Sequence, residues 1–597
     1  MVLHCHRFDN GVEPPFCNGF GWFIDLCMRT NIAAFPSPPF YGWLRAVPLA
    51  VATFLAVPVL AGIGATVLPA FGIFPGLKNV APLEPWTGLL SYPSIGKALW
   101  ISLSTGFGAA LLSVVTALGL ITALYDTPFY RRLQQALAPI LAMPHAAVAI
   151  AALFLLSPAG WIARLVSPGL SGWDRPPDIG LIGDPFGLSM VGILAVKEIA
   201  FLLFVGIAAL DQFDAAARLR VARALGYRRI TGFLKVVLPT LYRRLRLPIY
   251  AVLSYSLSVV DVGLIAGPQT PPTFAILLFR WFNDPDLALR FRACAGALVL
   301  IAVIAVAVLS WHFGARLLGS AARGVLSDGR RSMPLWEAVV PTLVGIWAMM
   351  AVLVALGLIT IVLWSLAGPW RFPQALPPQL GLNNYAWHAG GMGDAIVATL
   401  WTGLLAGLGA VAASLLCLEA ERRRGRPSVL LPPWLFYVPL VAPQLGFLFG
   451  VQILLIALRA DATLGAVVAI HGLFVLPYVW LLLAPAWRSH DVRYDRVART
   501  LGATPWSLFW RVRLPMLAGP CAVALAVGFA VSVAQYTPTL FAGGGRIATV
   551  TTEAVTLASG ASRRGAAVFA VAQMLLPWLG FALATGLARR RRVRPGR

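Results

Sequence analysis

Lysine is nearly missing from this 597-residue chain, occurring only at Lys78, Lys97, Lys197 and Lys235. A phosphate loop needs a lysine in the setting Gly-x-x-x-x-Gly-Lys-Ser/Thr. Lys97 follows Gly96, but the upstream glycine is absent and the next residue is Ala98. ATP hydrolysis by that route is therefore excluded within the sequence. Acid is scarce as well, with 23 Asp and Glu against 47 Lys and Arg, and charged residues make up only 12%. A soluble domain carries about a quarter of its residues as charges, so that class is excluded. A metalloprotease helix, a nucleophile elbow and a cluster of metal ligands are also missing. No catalytic residue, metal or cofactor is assigned, and the chain is not read as an enzyme. Of six cysteines, Cys294, Cys417 and Cys521 lie in or beside apolar runs, where they serve packing. Cys5, Cys17 and Cys27, with His4 and His6, fall in a segment without the basic start, apolar core and cleavage site of a signal peptide. Two readings of it stay open: a zinc site, or a stretch ahead of a true start at Met28.

What is present is apolar surface. The chain is 59% hydrophobic and its mean hydropathy is +0.79. A helical span needs about 20 apolar residues. About twelve runs qualify, near 44–71, 98–124, 137–156, 188–210, 248–266 and 293–317, then 338–367, 395–418, 431–458, 464–484, 519–541 and 566–587. They are continuous and too long for barrel strands. The expected fold class is all-α, a polytopic membrane protein with two homologous six-helix halves. The net charge of +24 is not spread as nucleic-acid binding would require. Most arginines lie in alternate loops, at 131–132, 218–246, 316–331, 422–426, 488–513 and 589–597. The positive-inside rule places those loops and the C-terminus in the cytoplasm.

The chain divides near 327–334. The expected organisation is an N-terminal segment at 1–43, a first half at 44–326 with a core near 94–317, a second half at 335–588 with a core near 394–587, and a basic tail at 589–597. Parallel halves imply a pseudo-two-fold axis along the membrane normal, with a path between them. One short signature occurs in both. Arg220-Val221-Ala222-Arg223-Ala224-Leu225-Gly226 precedes Val236-Val237-Leu238-Pro239. Arg496-Val497-Ala498-Arg499-Thr500-Leu501-Gly502 precedes Val512-Arg513-Leu514-Pro515. A shift of 276 residues superposes them, and ten of the twenty positions are identical. Gly226 and Gly502 permit a sharp turn. Ile230, Phe233, Leu234 and Val236, and Trp506, Phe509, Trp510 and Val512, fall at the spacing of one apolar helical face. Pro239 and Pro515 are expected to interrupt the helix at the entrance to the next span.

This window resembles the EAA loop of binding-protein-dependent ABC importer permeases. Gly226, Val236, Leu238 and Pro239, and Gly502, Val512, Leu514 and Pro515, match its spacing, with Ala222 and Ala498 in the third position of the triad. The family's first residue is acidic; here it is Arg220 or Arg496, while Asp495 stands out of register. The resemblance is greatest to fused, double-length permeases associated with ferric iron, thiamine and polyamines. Val196-Lys197-Glu198-Ile199, Phe541-Ala542-Gly543-Gly544-Gly545 and Thr551-Thr552-Glu553-Ala554 are similar to one thiamine-like branch. The resemblance implies an inner-membrane transport subunit whose loops form coupling helices. Its partners would be two ABC ATPase subunits, a periplasmic solute-binding protein and membrane lipids. ATP binding would close the ATPase pair, draw the coupling helices together and turn the pathway outward. It does not identify the solute.

Inside the runs, Lys197 and Glu198 are costly at that depth and should each seek a partner on another helix. Ser256, Asp261, Ser532, Gln535 and Tyr536 are candidates for the translocation path, since the resemblance implies that the fifth span of each half lines it. The competing reading of the same residues is helix packing. His145 and His471 are expected to hydrogen-bond to neighbouring helices. The rival function is a secondary carrier driven by an ion gradient, with Lys197, Glu198 and Asp261 as coupling residues. It does not explain the repeated loop.

Overall fold

The computed structural model describes residues 42–592 except 211, 426 and 561. The cysteine and histidine residues of the N-terminal segment, and the end of the basic tail, lie outside the described residues. The main helices of the first half are α1 (Val47–Ala70), α2 (Ile95–Leu124), α3 (Pro128–Ala142), α4 (His145–Leu156), α5 (Leu188–Leu210), α6 (Ala215–Ala224), α7 (Arg229–Gly232), α8 (Leu238–Ser258), α9 (Asp261–Ala266), α10 (Phe274–Phe282) and α11 (Leu289–Ser327). Those of the second are α12 (Pro334–Leu366), α13 (Asn383–Arg424), α14 (Gln444–Ala457), α15 (Leu464–Arg488), α16 (Val492–Thr500), α17 (Pro505–Leu508), α18 (Ala518–Val533), α19 (Thr537–Gly543), α20 (Val550–Ser559) and α21 (Arg563–Arg592). Among the described residues there are helices and two isolated bridges but no strand. The chain is an all-α polytopic membrane protein.

Nine helices among the described residues are long and apolar enough to cross a membrane, and two bent pairs qualify jointly. Three expected spans therefore need correction. The run at 137–156 is divided, because Pro144 forces Met143 out of the helical region and α4 starts only at His145. The run at 431–458 bends by 84° between Pro433–Val441 and Gln444–Ala457, with Ala442 extended before Pro443 for the same reason. The run at 248–266 is α8, whose first turns carry Arg243, Arg244 and Arg246, followed by a break at Val259 and a restart at Asp261.

Several elements of the two halves start 276 residues apart: α5 with α15, α7 with α17, α9 with α19 and α10 with α20. The first span of each half crosses to the other half. Helix α1 packs on α14, and α12 packs on α4 and α21. Glycine permits the first crossing: a Cβ on Gly450 would lie 1.8 Å from the Gly62 carbonyl oxygen. At the end of the bundle away from the basic loops, buried Arg164 fastens the 370–374 segment. Its Nη1 donates to the Arg371 carbonyl at 2.8 Å, and its guanidinium lies 4.8 Å from the Trp370 ring centroid. Between the halves, Phe282 stacks on Phe449 at 4.1 Å and Phe541 packs edge-on against both, forming an aromatic cluster.

Candidate functional site

Each basic loop is a capped helix, a glycine turn and a second helix that runs into the fifth span. Asp214 caps α6 by accepting from the Ala217 N–H at 2.9 Å, and Asp491 caps α16 by accepting from that of Arg493 at 2.9 Å. Gly226 and Gly502 follow with φ of +85° and +82°, a region that disfavours a Cβ. In both copies the next stretch is a π-helical turn, Phe233–Val237 or Phe509–Arg513. It ends just before Leu238-Pro239 or Leu514-Pro515. A proline ring clashes with the carbonyl four residues back, and the wider turn accommodates it. The expected interruption at Pro239 is accordingly absent, since the helix continues to Ser258. In the second copy the chain bends by 72°, at Leu517 rather than at Pro515.

Arg220, Gly226, Arg496, Gly502 and Pro515 are exposed, Ala222 is buried, and Ala498, Leu238, Pro239 and Leu514 are half-buried. Two apolar side chains per loop also stand exposed: Val221 at 61% and Leu225 at 59%, Val497 at 58% and Leu501 at 82%. They occupy the same register in both copies and sit one turn apart on one helix face. Each loop thus presents a small apolar knob rimmed by arginines.

The undersides differ. Beneath the first loop lie Leu219, Ala222, Phe233 and Val237, all buried and uncharged. Its flank is tied to the first turn of α12 and to the stretch joining the halves: Arg228 Nη1 donates to Glu337 Oε2 at 2.7 Å, Thr231 Oγ1 donates to Glu337 Oε1 at 2.8 Å, and Lys235 pairs with Asp328. That ammonium holds the Asp328 carboxyl below the usual aspartate range. In the second loop the positions of Leu219 and Val237 are taken by Asp495 and Arg513, each 3% exposed. Arg513 Nη2 donates to Asp495 Oδ2 at 2.9 Å, and its Nη1 donates to Glu419 at the end of α13. Glu419 also accepts from Arg423 Nε at 2.7 Å, while Asp495 pairs with Arg422 and lies 3.2 Å from His490 Nε2. Burial works to raise the Asp495 pKa, but Arg513, then Arg422 and His490, outweigh it and hold the carboxyl below its usual range. The apolar face expected in this copy is therefore interrupted: Trp506 and Trp510 are exposed, and Arg513 is buried. A comparison of the repeats at 219/495 and 237/513 carries that signal, since an apolar pair becomes a charged pair.

The path candidates lie at paired helix breaks. Helix α8 ends at Ser258 and restarts at Asp261; α18 ends at Val533 and restarts at Thr537, the two restarts being 276 residues apart. Ser256, Asp261, Ser532, Gln535 and Tyr536 are all buried beside these breaks. Lys197 and Glu198 turn to different partners. Lys197 Nζ donates to the carbonyls of Ile140 and Leu141 at 2.8 and 3.2 Å, and Glu198 Oε1 lies 3.1 Å from His145 Nε2. His471 bonds Ser532 Oγ at 2.7 Å and Thr539 Oγ1 at 2.8 Å. Periodicity could not reveal the His145–Glu198 pair, nor that the Tyr255 ring lies 4.8 Å from that of His145. Among the described residues no group of His, Cys, Asp and Glu could hold a metal.

No family model matches the chain. It is 32% identical over 544 residues to the inner membrane ABC transporter permease protein YnjC of Escherichia coli (strain K12), covering 90% of this chain and 96% of that one. A putative 2-aminoethylphosphonate transport system permease protein, PhnV of Salmonella choleraesuis, is 26% identical over 35% of this chain and 80% of its own length. The molybdenum transport system permease protein ModB of Mycobacterium bovis is 33% identical over 22% of this chain and 54% of its own. One relative thus spans nearly the whole chain, while the permease PhnV is nearly used up by about a third of it. Together with the duplicated loop in a multi-pass helical bundle, this places the chain in the ABC transporter permeases, as a fused, double-length inner-membrane member.

Proposed function

We propose that this permease supplies both halves of an importer's membrane pathway and is driven by two separate ATPase subunits, one docked on each basic loop. On this reading the loops and the C-terminus are cytoplasmic, an external binding protein delivers the solute, and 44–326 and 335–588 act as the two halves. The supporting observation is the exposed pair Val221 and Leu225, repeated as Val497 and Leu501 on equally turned helices. An apolar knob needed twice in one register fits a repeated protein contact. Arg220 and Arg496 set the charge of its rim. ATP-driven closure of the two subunits would draw the loops together and reorient the fifth spans. The relatives' names mention molybdenum and 2-aminoethylphosphonate, two unlike solutes, so they point to no single one for this chain. The ion-gradient reading is disfavoured by the family and by the partners that already occupy Lys197 and Glu198.

The test is native mass spectrometry of the permease purified with its ATPase. Leu225→Glu or Leu501→Glu alone is expected to leave one bound ATPase subunit, and the double variant none. A double variant that retains two subunits and normal ATP-dependent uptake would sink the docking claim.

A further inference from the structure

The stretch that joins the two halves is built into the first loop rather than strung past it. The Arg228 N–H donates to the Arg331 carbonyl at 2.9 Å, and the Met333 N–H donates to Thr231 Oγ1 at 3.0 Å. Arg228 and Thr231 also hold Glu337, and Lys235 holds Asp328. Alongside these bonds, Ile230 of α7 packs with Val340 of α12 and Ala123 of α2 in a small apolar cluster separate from the main core. A connection that only had to span the gap between the halves would need none of these attachments.

Their effect is to lay the Arg331 side chain across the Gly226 turn. Its Cδ and Nη1 would each lie 3.3 Å from a Cβ placed on Gly226. Gly226 directly follows Leu225, so Arg331 stands beside the exposed knob. The second loop differs: among the described residues nothing lies within 4 Å of the same point on Gly502. The acids around the first knob are already spent. Asp328 is shared by Lys235 and Arg330, Glu337 is taken by Arg228, and Asp126 by Arg223. Arg331 is exposed and has no ion pair among the described residues.

We propose that the joining stretch is part of the first docking surface, and that an ATPase subunit seated on Val221 and Leu225 meets Arg331 with a carboxylate of its own. A subunit that covers Leu225 must also cover the side chain lying against Gly226. A second cation opposed to Arg331 would cost affinity, whereas an acid gains from it, and the guanidinium fork matches a carboxylate. The backbone that carries Arg331 is pinned before docking, which limits the ordering cost of the contact. The two docking sites of this chain are therefore unequal. The first is a knob with a cationic strut from the joining stretch, and the second is a knob beside an open glycine turn. The inference rests on the docking reading made under the proposed function.

The permease in lipid nanodiscs would be titrated with its purified ATPase, and bound subunits counted by native mass spectrometry. Leu501→Glu leaves only the first site to be measured, and Leu225→Glu only the second. Added to Leu501→Glu, Arg331→Glu should weaken binding about tenfold. Arg331→Gln, which removes the charge without introducing repulsion, should weaken it about threefold. Added to Leu225→Glu, neither change should alter binding at the second site. The carbonyl of residue 331 still accepts from Arg228 in each variant, so the loop keeps its hold on the stretch. First-site binding that ignores both Arg331 variants overturns the proposal. So does an equal loss at both sites, which would mark a general charge effect. Two subunits bound to Leu225→Glu/Leu501→Glu would instead count against the docking reading.

Discussion

Arg513 offers the sharpest test of how the second loop is held. Replacing it with valine, the residue at the matching position of the first loop, removes the donor shared by Asp495 and Glu419. Breaking a buried ion pair by deleting one partner costs about 3–5 kcal/mol. Asp495 keeps Arg422 and His490, and Glu419 keeps Arg423, so the cost should fall at the lower end, about 3 kcal/mol. Hydrogen exchange across 492–500 reads it as local opening, which should become about a hundredfold easier. The double variant Asp495→Leu with Arg513→Val rebuilds the apolar underside of the first loop. Exchanging a buried pair for packed apolar groups is often neutral. Here Glu419, Arg422 and His490 each lose a partner, which leaves a deficit of about 1 kcal/mol. Exchange should therefore return to within about tenfold of the wild type. An unchanged single variant, or a double variant as loose as the single, would refute the view that this network fastens the loop.

Three further outcomes follow from the same geometry. The Asp495 carboxyl titrates below its unfolded value, so the stability it contributes is present above the ordinary aspartate range and is lost as pH falls through the lower folded value. Exchange at 492–500 should accelerate below roughly pH 4, and that acid step should vanish in the Asp495→Leu/Arg513→Val variant. Gly450→Ala forces α1 and α14 apart and should lower stability by about 3 kcal/mol, at the upper end for overpacking, whereas Gly64→Ala, with nothing within 4 Å, should not lower the melting temperature. Arg243→Gly with Leu247→Gly softens α8 by about 1 kcal/mol per residue; ATP hydrolysis should persist in the assembled transporter while uptake falls, and unimpaired uptake would discount α8 as a lever.

The features legible in the sequence are those that one segment carries alone. Long apolar runs gave the spans because a helix must bury its own backbone in lipid. Gly226 and Gly502 marked turns because their positive φ is a local demand. The breaks before Pro144 and Pro443 were within reach of the same reasoning, but the surrounding apolar residues outweighed them. Contacts set by the partner helix were not legible. Arg513 sits on a face that reads as apolar, and its burial depends on Glu419, 94 residues earlier. Glu198 meets His145 across 53 residues, and neither residue's own helix indicates the other. The crossing of α1 to the second half leaves a pair of glycines as its only trace, at positions that no local pattern connects.

Under the proposed function, the two loops would deliver motion to the path by different routes. In the first half, the π turn joins α7 directly to α8, a helix of 21 residues and hence about 30 Å. It ends at Ser258, three residues before Asp261. A push on the first loop would therefore reach the break along one continuous helix, which contains Pro248. In the second half the corresponding element bends by 72° at Leu517, and a bend at that point absorbs motion that a straight helix would pass on. The charged underside offsets this. Arg513 ties the π turn to Glu419, and Asp495 ties the loop helix to Arg422, so both anchor on α13. That helix runs 42 residues and packs on α18 and α15. The second loop would then move the path by dragging α13 rather than by pushing its own span. This explains why an apolar pair suffices under one loop while a buried ion network is kept under the other.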